Sequence, residues 1–334
     1  MTGGVHVAQA TTGSVGSPAL WAGTLAVLVL LLATDFVLTR RPHEVSLREA
    51  TAWSVFYVTL PFAFGVFLWG HAGSAQALEF FTGYVVEKSL SVDNLFVFML
   101  LLAAFAVPPA LAQRVLLYGV IGALVLRGVF IALGAALLEA GTWAFLVFGL
   151  VLVATAGKIL REALQHRPIA VDISAMRSVR LLRRLMPVTD HYHGARMTIR
   201  QDGRRTLTPF ALVVVAVFAT DVVFAVDSVP AVYGVTEDPF LVFATNAFAL
   251  LGLRALYFVL QGVLGRLAHL NYGLAVVLAF IGLKLALHWA HGIWPAVPEI
   301  PTLLSLGVIT LVLVTVTVTS LLAARRVPLA DTDR

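Results

Sequence analysis

The sequence predicts an all-α bundle of transmembrane helices, and three observations lead to this fold class. Of the 334 residues, 60% are hydrophobic, and the mean hydropathy is +0.93. Only 12% are charged, about half the fraction found in soluble domains. Apolar runs of about 18 residues or more recur along the chain, and in lipid such runs form helices because open sheet edges cannot face hydrocarbon. We therefore expect residues 1–334 to form a single transmembrane domain.

About nine helices are predicted along this domain. In chain order they cover 20–38, 50–70, 78–104, 115–138, 143–161, 208–232, 240–262, 272–290 and 301–323. The first nineteen residues carry no Lys or Arg, so the first helix lacks the basic start of a cleaved signal peptide and is expected to be retained. The chain has no cysteine, which excludes disulfides, thiolate metal sites and cysteine nucleophiles.

Basic residues in the connections indicate the orientation. The first, third, fifth and seventh connections and the C-terminal tail carry arginines, whereas the even-numbered connections carry no Lys or Arg. Cytoplasmic loops are enriched in basic residues, so the N-terminus is expected outside and the C-terminus in the cytoplasm. This alternation is typical of membrane topology and not of a nucleic-acid-binding stripe.

The fifth connection, 162–207, is the longest and holds nine arginines. We expect a basic cytoplasmic loop that is either a solvated linker or a surface for lipid headgroups or regulation. Its Asp190-His191-Tyr192-His193 segment could hold a metal, although an inert polar loop is favoured because nothing in the sequence fixes a ligand geometry.

Four carboxylates lie within predicted helices, where lipid surrounds the chain. They are Glu87 and Asp93 in the third helix and Asp221 and Asp227 in the sixth. A carboxylate at the centre of a span costs about 2.5–3.5 kcal/mol on insertion scales. Such residues therefore mark an ion path, a proton relay or a structural ion pair.

The two acidic segments match each other, which predicts an internal repeat. Each has an acid, a second acid six residues later and then a neutral oxygen ligand, Asn94 or Ser228. The match continues downstream in two further pairs: Leu126-Arg127 with Leu253-Arg254, and Phe148-Gly149 with Tyr272-Gly273. Helices three to five (78–161) thus repeat as helices six to eight (208–290). Because one copy begins outside and the other inside, the repeats are inverted, and such repeats place a site near the membrane midplane.

Helix geometry divides these polar groups between two faces. The residues that share one stripe are Glu87, Ser91 and Asn94 in the third helix, and Asp221, Ala225 and Ser228 in the sixth. Asp93 and Asp227 point about 100° away from those stripes. Either the chain holds two layered sites or both helices unwind locally. We favour unwinding because Pro230 removes one backbone hydrogen bond near Asp227.

The ligand types select the ion. Carboxylates, an amide, hydroxyls and carbonyls are hard oxygen donors, so Mg²⁺, Ca²⁺ or Mn²⁺ suits these segments better than copper or zinc. The residues assigned to the metal site are Glu87, Asp93, Asn94, Asp221, Asp227 and Ser228. The accessory candidates are Asp35, Ser91, Lys88, Arg127, Asn246 and Arg254. Asp35 could join the cytoplasmic entrance or cap a helix, and Asn246 could bind the ion or pack between helices.

A structural interpretation competes with the metal site. The acids could simply neutralise the buried basic residues, which are Lys88, Arg127, Lys158, Arg254 and Lys284. Both interpretations hold if the basic residues pair with the acids until an ion displaces them.

At these segments the chain resembles the TerC family of bacterial membrane proteins, close to its Alx-like branch. The motifs that carry the resemblance are EKSLSVDNLFVF at 87–98, TDVVFAVDSVPAV at 220–232, LGLRALYF at 251–258 and HEVS at 43–46. The resemblance covers roughly residues 35–290. It implies a bacterial inner-membrane protein linked to manganese efflux, with Glu87, Asp93, Asn94, Asp221 and Asp227 as transport-site residues. Tellurite, to which the family owes its name, would need a positive pocket, whereas this core presents carboxylates.

Three functions follow as hypotheses. The first is export of a divalent metal, Mn²⁺ by the resemblance, with the metal ion and membrane lipid as partners and no cofactor. The second is a metal-handing or metal-homeostasis partner for exported proteins. The third, an intramembrane enzyme such as an aspartyl protease, is disfavoured because the sequence has neither a GxGD nor a GxSG motif. We therefore expect a protein that is not an enzyme.

Overall fold

The computed structural model of the chain describes residues 14–38, 47–165, 176–201, 204–260 and 269–326. These residues form eleven α-helices and one β-hairpin, which confirms the predicted helical membrane protein. The elements, in chain order, are α1 Pro18–Leu38, α2 Leu47–Ala72, α3 Ser74–Ala104, α4 Pro109–Ala140, α5 Trp143–Leu164, α6 Arg177–Leu185, β1 Thr198–Gln201, β2 Arg204–Leu207, α7 Pro209–Tyr233, α8 Pro239–Leu251, α9 Leu253–Leu260, α10 Leu270–Ile293 and α11 Thr302–Arg326.

Seven helices in the described ranges are long and apolar enough to cross a membrane: α1, α2, α4, α5, α7, α10 and α11. Helix α3 is also long, with 31 residues, but it carries Glu79, Glu87, Lys88 and Asp93. Helix α8 has only 13 residues. Each of the nine predicted helices therefore overlaps a described helix, while nine spans remain a prediction.

The predicted helix at 240–262 is interrupted at Gly252, between α8 and α9. The interruption lies where the backbone comes close to α2 and α3. A Cβ atom on Gly252 would lie 3.0 Å from Cβ of Tyr57 and 3.3 Å from Nζ of Lys88. A glycine at this position therefore lets three helices meet closely.

Helices α3 and α7 are continuous through their acidic segments. The local unwinding that we favoured around Asp93 and Asp227 is therefore wrong. Pro230 lies in the last turn of α7, where it removes only the bond to the carbonyl of Val226, and the helix continues to Tyr233. The acids accordingly stay on separate helical faces.

Two apolar clusters fill the bundle, and the polar residues lie between them. Along α3 the clusters meet between Leu90 and Leu95, and along α4 they meet between Ala123 and Ile131. Along α7 the gap runs from Val217 to Val229 and contains both acids of that helix. The midplane position predicted from the sequence thus corresponds to the middle of these three helices.

The helices pack in reciprocal pairs. Helix α3 packs against α8, and α7 packs against α4; α3 also packs against α7, and α5 against α10. The α5–α10 crossing is close enough that a Cβ on Gly149 would lie 2.7 Å from the carbonyl oxygen of Gly282. Conversely, a Cβ on Gly282 would lie 2.8 Å from the carbonyl oxygen of Gly149. Gly273, which the sequence match paired with Gly149, instead packs against Val316 of α11.

The connection between α5 and α7 packs onto the end of the bundle. Its helix α6 inserts Val179, which is 1% exposed, against the first turn of α7. The β1–β2 hairpin is antiparallel and pairs Thr198 with Leu207. Thr208 then caps α7, because its hydroxyl accepts a bond from the amide of Ala211 and donates one to the carbonyl of Arg196 at 2.5 Å.

Candidate cation site and its ion-pair layer

A buried ion-pair layer occupies the middle of the bundle, with Arg127 of α4 at its centre. The guanidinium Nη1 donates hydrogen bonds to Oε1 of Glu87 and to Oδ1 of Asn246, the latter at 2.8 Å. Its Nη2 lies 3.6 Å from Oδ1 of Asp221. The first acids of the two matched segments therefore meet at one arginine, as the structural interpretation of the sequence anticipated.

The packing of the helices orients these four side chains. Each is at most 1% exposed, so none can turn to solvent. Asn246 on α8 donates its Nδ2 to the carbonyl of Val242 at 2.9 Å, which leaves its Oδ1 to accept from Arg127. The Asp227 carboxylate also acts electrostatically on Arg127. One guanidinium thus balances carboxylates from α3 and α7.

Several polar atoms in and beside this layer lack a hydrogen-bond partner among the described residues. Those of the ion pair are Glu87 Oε2, Asp221 Oδ2, and Arg127 Nε and Nη2; beside it are Asn94 Nδ2 and Ser228 Oγ. An unsatisfied buried polar group costs about 1–3 kcal/mol, and more when it is charged. The layer therefore has oxygen atoms available for a further ligand such as a cation.

A cavity of about 580 Å³ lies between α3, α5, α7 and α10 and reaches the polar residues from one end of the bundle. Asn94, Asp227 and Ser228 line it in the middle of the bundle. The lining residues near the ends of α5 and α10 are Lys158, Glu162, His269, Asn271 and Tyr272. Because Lys158 and Glu162 are exposed, the cavity connects solvent to the second acid of α7.

The opposite end of the bundle is closed by aromatic side chains. Phe80, Tyr84, Tyr233 and Phe240 are all at most 5% exposed. The Tyr233 hydroxyl donates a 2.7 Å bond to the carbonyl of Ile131, which fixes α7 to α4 at this level. An ion in the cavity would therefore meet a closed barrier at the end of the bundle where α7 ends.

The predicted site residues thus separate into two groups. Glu87, Asp221, Arg127 and Asn246 form the ion-pair layer, with Ser91 Oγ 3.5 Å from Oε1 of Glu87. The cavity group comprises Asn94, Asp227 and Ser228. The side chains of Asp93 and Arg254 lie outside the described residues. Within the described residues, no group of three or more His, Asp or Glu side chains is arranged to hold an ion.

The remaining basic and accessory candidates lie elsewhere. Lys88 points away from the acids and donates to the carbonyl of Ala249 at 3.2 Å. Lys284 interacts electrostatically with Glu79. Asp35 is buried in α1, which packs against α4 and α8.

The structure adds polar residues that the sequence analysis missed. Near the cavity mouth, the buried Nδ1 of His269 has no hydrogen-bond partner among the described residues. At the closed end, Glu79 accepts a 2.6 Å bond from Thr236, and His288 lies 3.3 Å from Glu237 and 3.0 Å from Glu299. His269 had no signal in the sequence because it flanks a helix in a weakly patterned connection.

The Asp190–His193 segment, for which the sequence favours an inert polar loop over a metal site, makes a structural contact at the end of α3. The Tyr192 hydroxyl donates a 2.8 Å bond to the carbonyl of Phe105, and burial raises the pKa of Tyr192 to about 12. His191 and His193 are both exposed. The Nδ1 atom of His193 lies 3.1 Å from the carbonyl oxygen of His191. The segment therefore attaches the loop to the α3–α4 turn.

Comparisons with known proteins bear on what this architecture does. The chain is 39% identical over 325 residues to "Uncharacterized membrane protein STKORF319" of Myxococcus xanthus, covering 97% of this chain and 98% of that relative. It is 42% identical over 312 residues to "Putative membrane-bound redox modulator Alx" of Escherichia coli K12, covering 90% and 94%. It is 42% identical over 273 residues to "Uncharacterized membrane protein Mb2742" of Mycobacterium bovis, covering 81% and 69%.

No solved structure matches the chain significantly. The family model described as "Integral membrane protein TerC family" matches residues 72–327, a range that includes the ion-pair layer and the cavity. The chain belongs to the TerC family of integral membrane proteins.

Proposed function

We propose that this protein exports a hard divalent cation, Mn²⁺ in the first place, across the bacterial inner membrane. The observation that carries the proposal is the cavity that ends at Asn94, Asp227 and Ser228 in the middle of the bundle. A passage from solvent to a carboxylate at that depth suits a cation that must lose its hydration shell inside the membrane.

The donor set supports a hard cation as the substrate. Asp227, Asn94 and Ser228 offer carboxylate, amide and hydroxyl oxygens, the ligands that Mg²⁺, Ca²⁺ and Mn²⁺ prefer. The chain has no cysteine, so thiolate ligands for softer metals are absent. Mn²⁺ is chosen among the hard ions because the family resemblance implies it.

We also propose nine spans built from two inverted repeats, α3–α5 and α7–α10. The reciprocal packing of α3 on α8 and of α7 on α4 supports this arrangement, and so does the mutual approach of Gly149 and Gly282. With the N-terminus outside, the cavity mouth at the end of α5 faces the cytoplasm. In this proposal the structure is a state that is open to the cytoplasm and is closed at its outer end by the buried aromatic side chains.

In this proposal Arg127 pairs with the buried acids until a metal ion displaces it. Without an ion it neutralises Glu87 and Asp221, so the two carboxylates stay paired in the membrane. A divalent cation that enters the cavity competes with Arg127 for these oxygens. Protonated carboxylates do not bind metal, so outside protons would favour release.

Transport by the purified protein tests the proposal. Liposomes that contain the protein and a trapped metal-sensitive dye should accumulate Mn²⁺, and Asp227→Asn should reduce the initial rate at least tenfold. Asp190→Asn, which neutralises an exposed acid of the loop, is the matched control and should transport normally. Normal transport by a well-folded Asp227→Asn variant would refute the assigned site.

The printed name of the Alx relatives supplies a second candidate, a membrane-bound redox modulator. Because this chain has no cysteine, thiol–disulfide exchange by its own side chains is excluded. A redox role would therefore have to act through metal supply or through a partner, which agrees with the metal-handing alternative. Neither the family description nor these relatives' names describe an enzyme, and we propose that the protein is not one.

A further inference from the structure

We propose that helix α6 binds the headgroups of anionic lipids at the membrane face where α7 begins. This inference is independent of the proposed transport function. It rests on the position of α6, on its exposed side chains and on their charge.

The position of α6 is fixed by its contact with α7. Val179 is 1% exposed and belongs to the same apolar cluster as Phe210 and Leu212, in the first turn of α7. Leu182, three residues along α6, packs against the same cluster. Because α7 is apolar enough to span a membrane from Pro209 onward, α6 lies at the level of the lipid headgroups.

The other two leucines of α6 lie outside the apolar clusters formed by the described residues. Leu181 and Leu185 are 58% and 70% exposed, and their spacing of four residues places them on one face. Exposed leucines of this kind are unfavourable in water, at about 1.5–3 kcal/mol for each full side chain. At the membrane face, the acyl region of the lipid can cover them.

Exposed arginines cover much of the remaining surface of α6. Arg177, Arg183 and Arg184 are exposed, and a helix with an apolar face beside basic residues lies in the plane of a membrane interface. The described part of α6 contains no acidic residue, so its charge complements an anionic lipid surface. An acidic protein would match the arginines equally well, but it would not account for leucines exposed at the height of the lipid.

A probe on α6 of the complete protein tests this proposal. The chain has no cysteine, so Ser178→Cys gives a single labelling site, three and seven residues before the exposed leucines. The protein is labelled with an environment-sensitive fluorophore and placed in nanodiscs of phosphatidylcholine alone or with about 30% phosphatidylglycerol. We expect the label to move from water into lipid only in the anionic nanodiscs, and to return to water in about 1 M KCl.

Paired variants identify the residues responsible. Arg183→Gln with Arg184→Gln should lower the ratio of embedded to aqueous label roughly fivefold for each arginine replaced. Arg200→Gln with Arg205→Gln removes the same charge from the hairpin and should leave that ratio unchanged. A label attached to the cysteine of an Asp190→Cys variant should stay in water in both kinds of nanodisc.

Three results would overturn the proposal. The first is a label at position 178 that stays in water on anionic nanodiscs, which would leave an acidic protein as the partner to seek. The second is a response to lipid that survives the loss of both α6 arginines. The third is an equal fall of the embedded-to-aqueous label ratio in the Arg200→Gln, Arg205→Gln variant. The net charge of the loop, and not α6 itself, would then cause the lipid response.

Discussion

Replacing Arg127 by an uncharged residue should lower the free energy of unfolding more than any other single replacement by an uncharged residue in the ion-pair layer. Arg127 is fully buried and contacts Glu87, Asp221 and Asn246. Arg127→Met keeps most of the side-chain volume but leaves two carboxylates without a compensating charge. Breaking a buried pair in this way costs about 3–5 kcal/mol, and this layer loses the partner of two acids at once. We therefore expect a loss at the upper end of that range.

The measurement is reversible unfolding by SDS in mixed micelles, followed by circular dichroism. Lys158→Met is the control, because Lys158 is exposed at the cavity and its loss should change the free energy of unfolding by at most about 0.5 kcal/mol. The triple variant Arg127→Met, Glu87→Gln, Asp221→Asn removes every charge of the layer. It should recover most of the stability, since neutral replacement of a whole buried ion pair is often neutral or stabilising.

Two outcomes would refute this reasoning. A loss below about 1 kcal/mol in Arg127→Met would place the interaction in the range of exposed pairs and show that the acids do not depend on the arginine. A triple variant as unstable as the single variant would show that packing of the long side chain, and not charge, accounts for the loss.

Three further predictions use the same preparations. Gly149→Ala should destabilise the protein by about 1–3 kcal/mol in the SDS titration, because the new Cβ would meet the Gly282 carbonyl at 2.7 Å, whereas Gly157→Ala, with nothing within 4 Å, should not. Tyr233→Phe should cost about 1 kcal/mol in that titration through the lost bond to Ile131, and an unchanged midpoint would contradict the bond. His269→Ala should slow Mn²⁺ transport severalfold in the liposome assay and leave unfolding unchanged, because the His269 side chain lines the cavity mouth and its Nδ1 has no partner within the described residues; transport at the normal rate would contradict a contact with the entering ion.

The sequence predicted the helical bundle well because lipid allows few alternatives. Every apolar run in this chain had to become a helix, and each predicted helix has a counterpart among the described elements. The division at Gly252 was not predictable, since it depends on how closely α2 and α3 approach α8 and α9. Hydropathy alone carries no information about such distances.

The candidate site was predictable in part for a related reason. A charged residue inside a span is costly, so Glu87, Arg127 and Asp221 stood out in the sequence, and the structure brings them together. The sequence left open whether the acids bind an ion or neutralise a base, because that depends on how Arg127 of α4 is placed against α3 and α7. The sequence did not reveal that Gly149 packs against Gly282, since a match of residue types does not show which backbones touch.

The continuity of α7 has a consequence for how an ion can cross the bundle. Asp221 and Asp227 are six residues apart, which places their Cα atoms about 9 Å apart along the axis and on different faces. Oxygen ligands lie only about 2.0–2.6 Å from a hard divalent ion, so one ion cannot bind both carboxylates while the helix stays intact. Of the two layouts that the sequence leaves open, layered sites therefore remain the prediction, with Asp227 at the cavity and Asp221 held by Arg127. In the transport that we propose, an ion must displace the Arg127 guanidinium before it can bind Asp221.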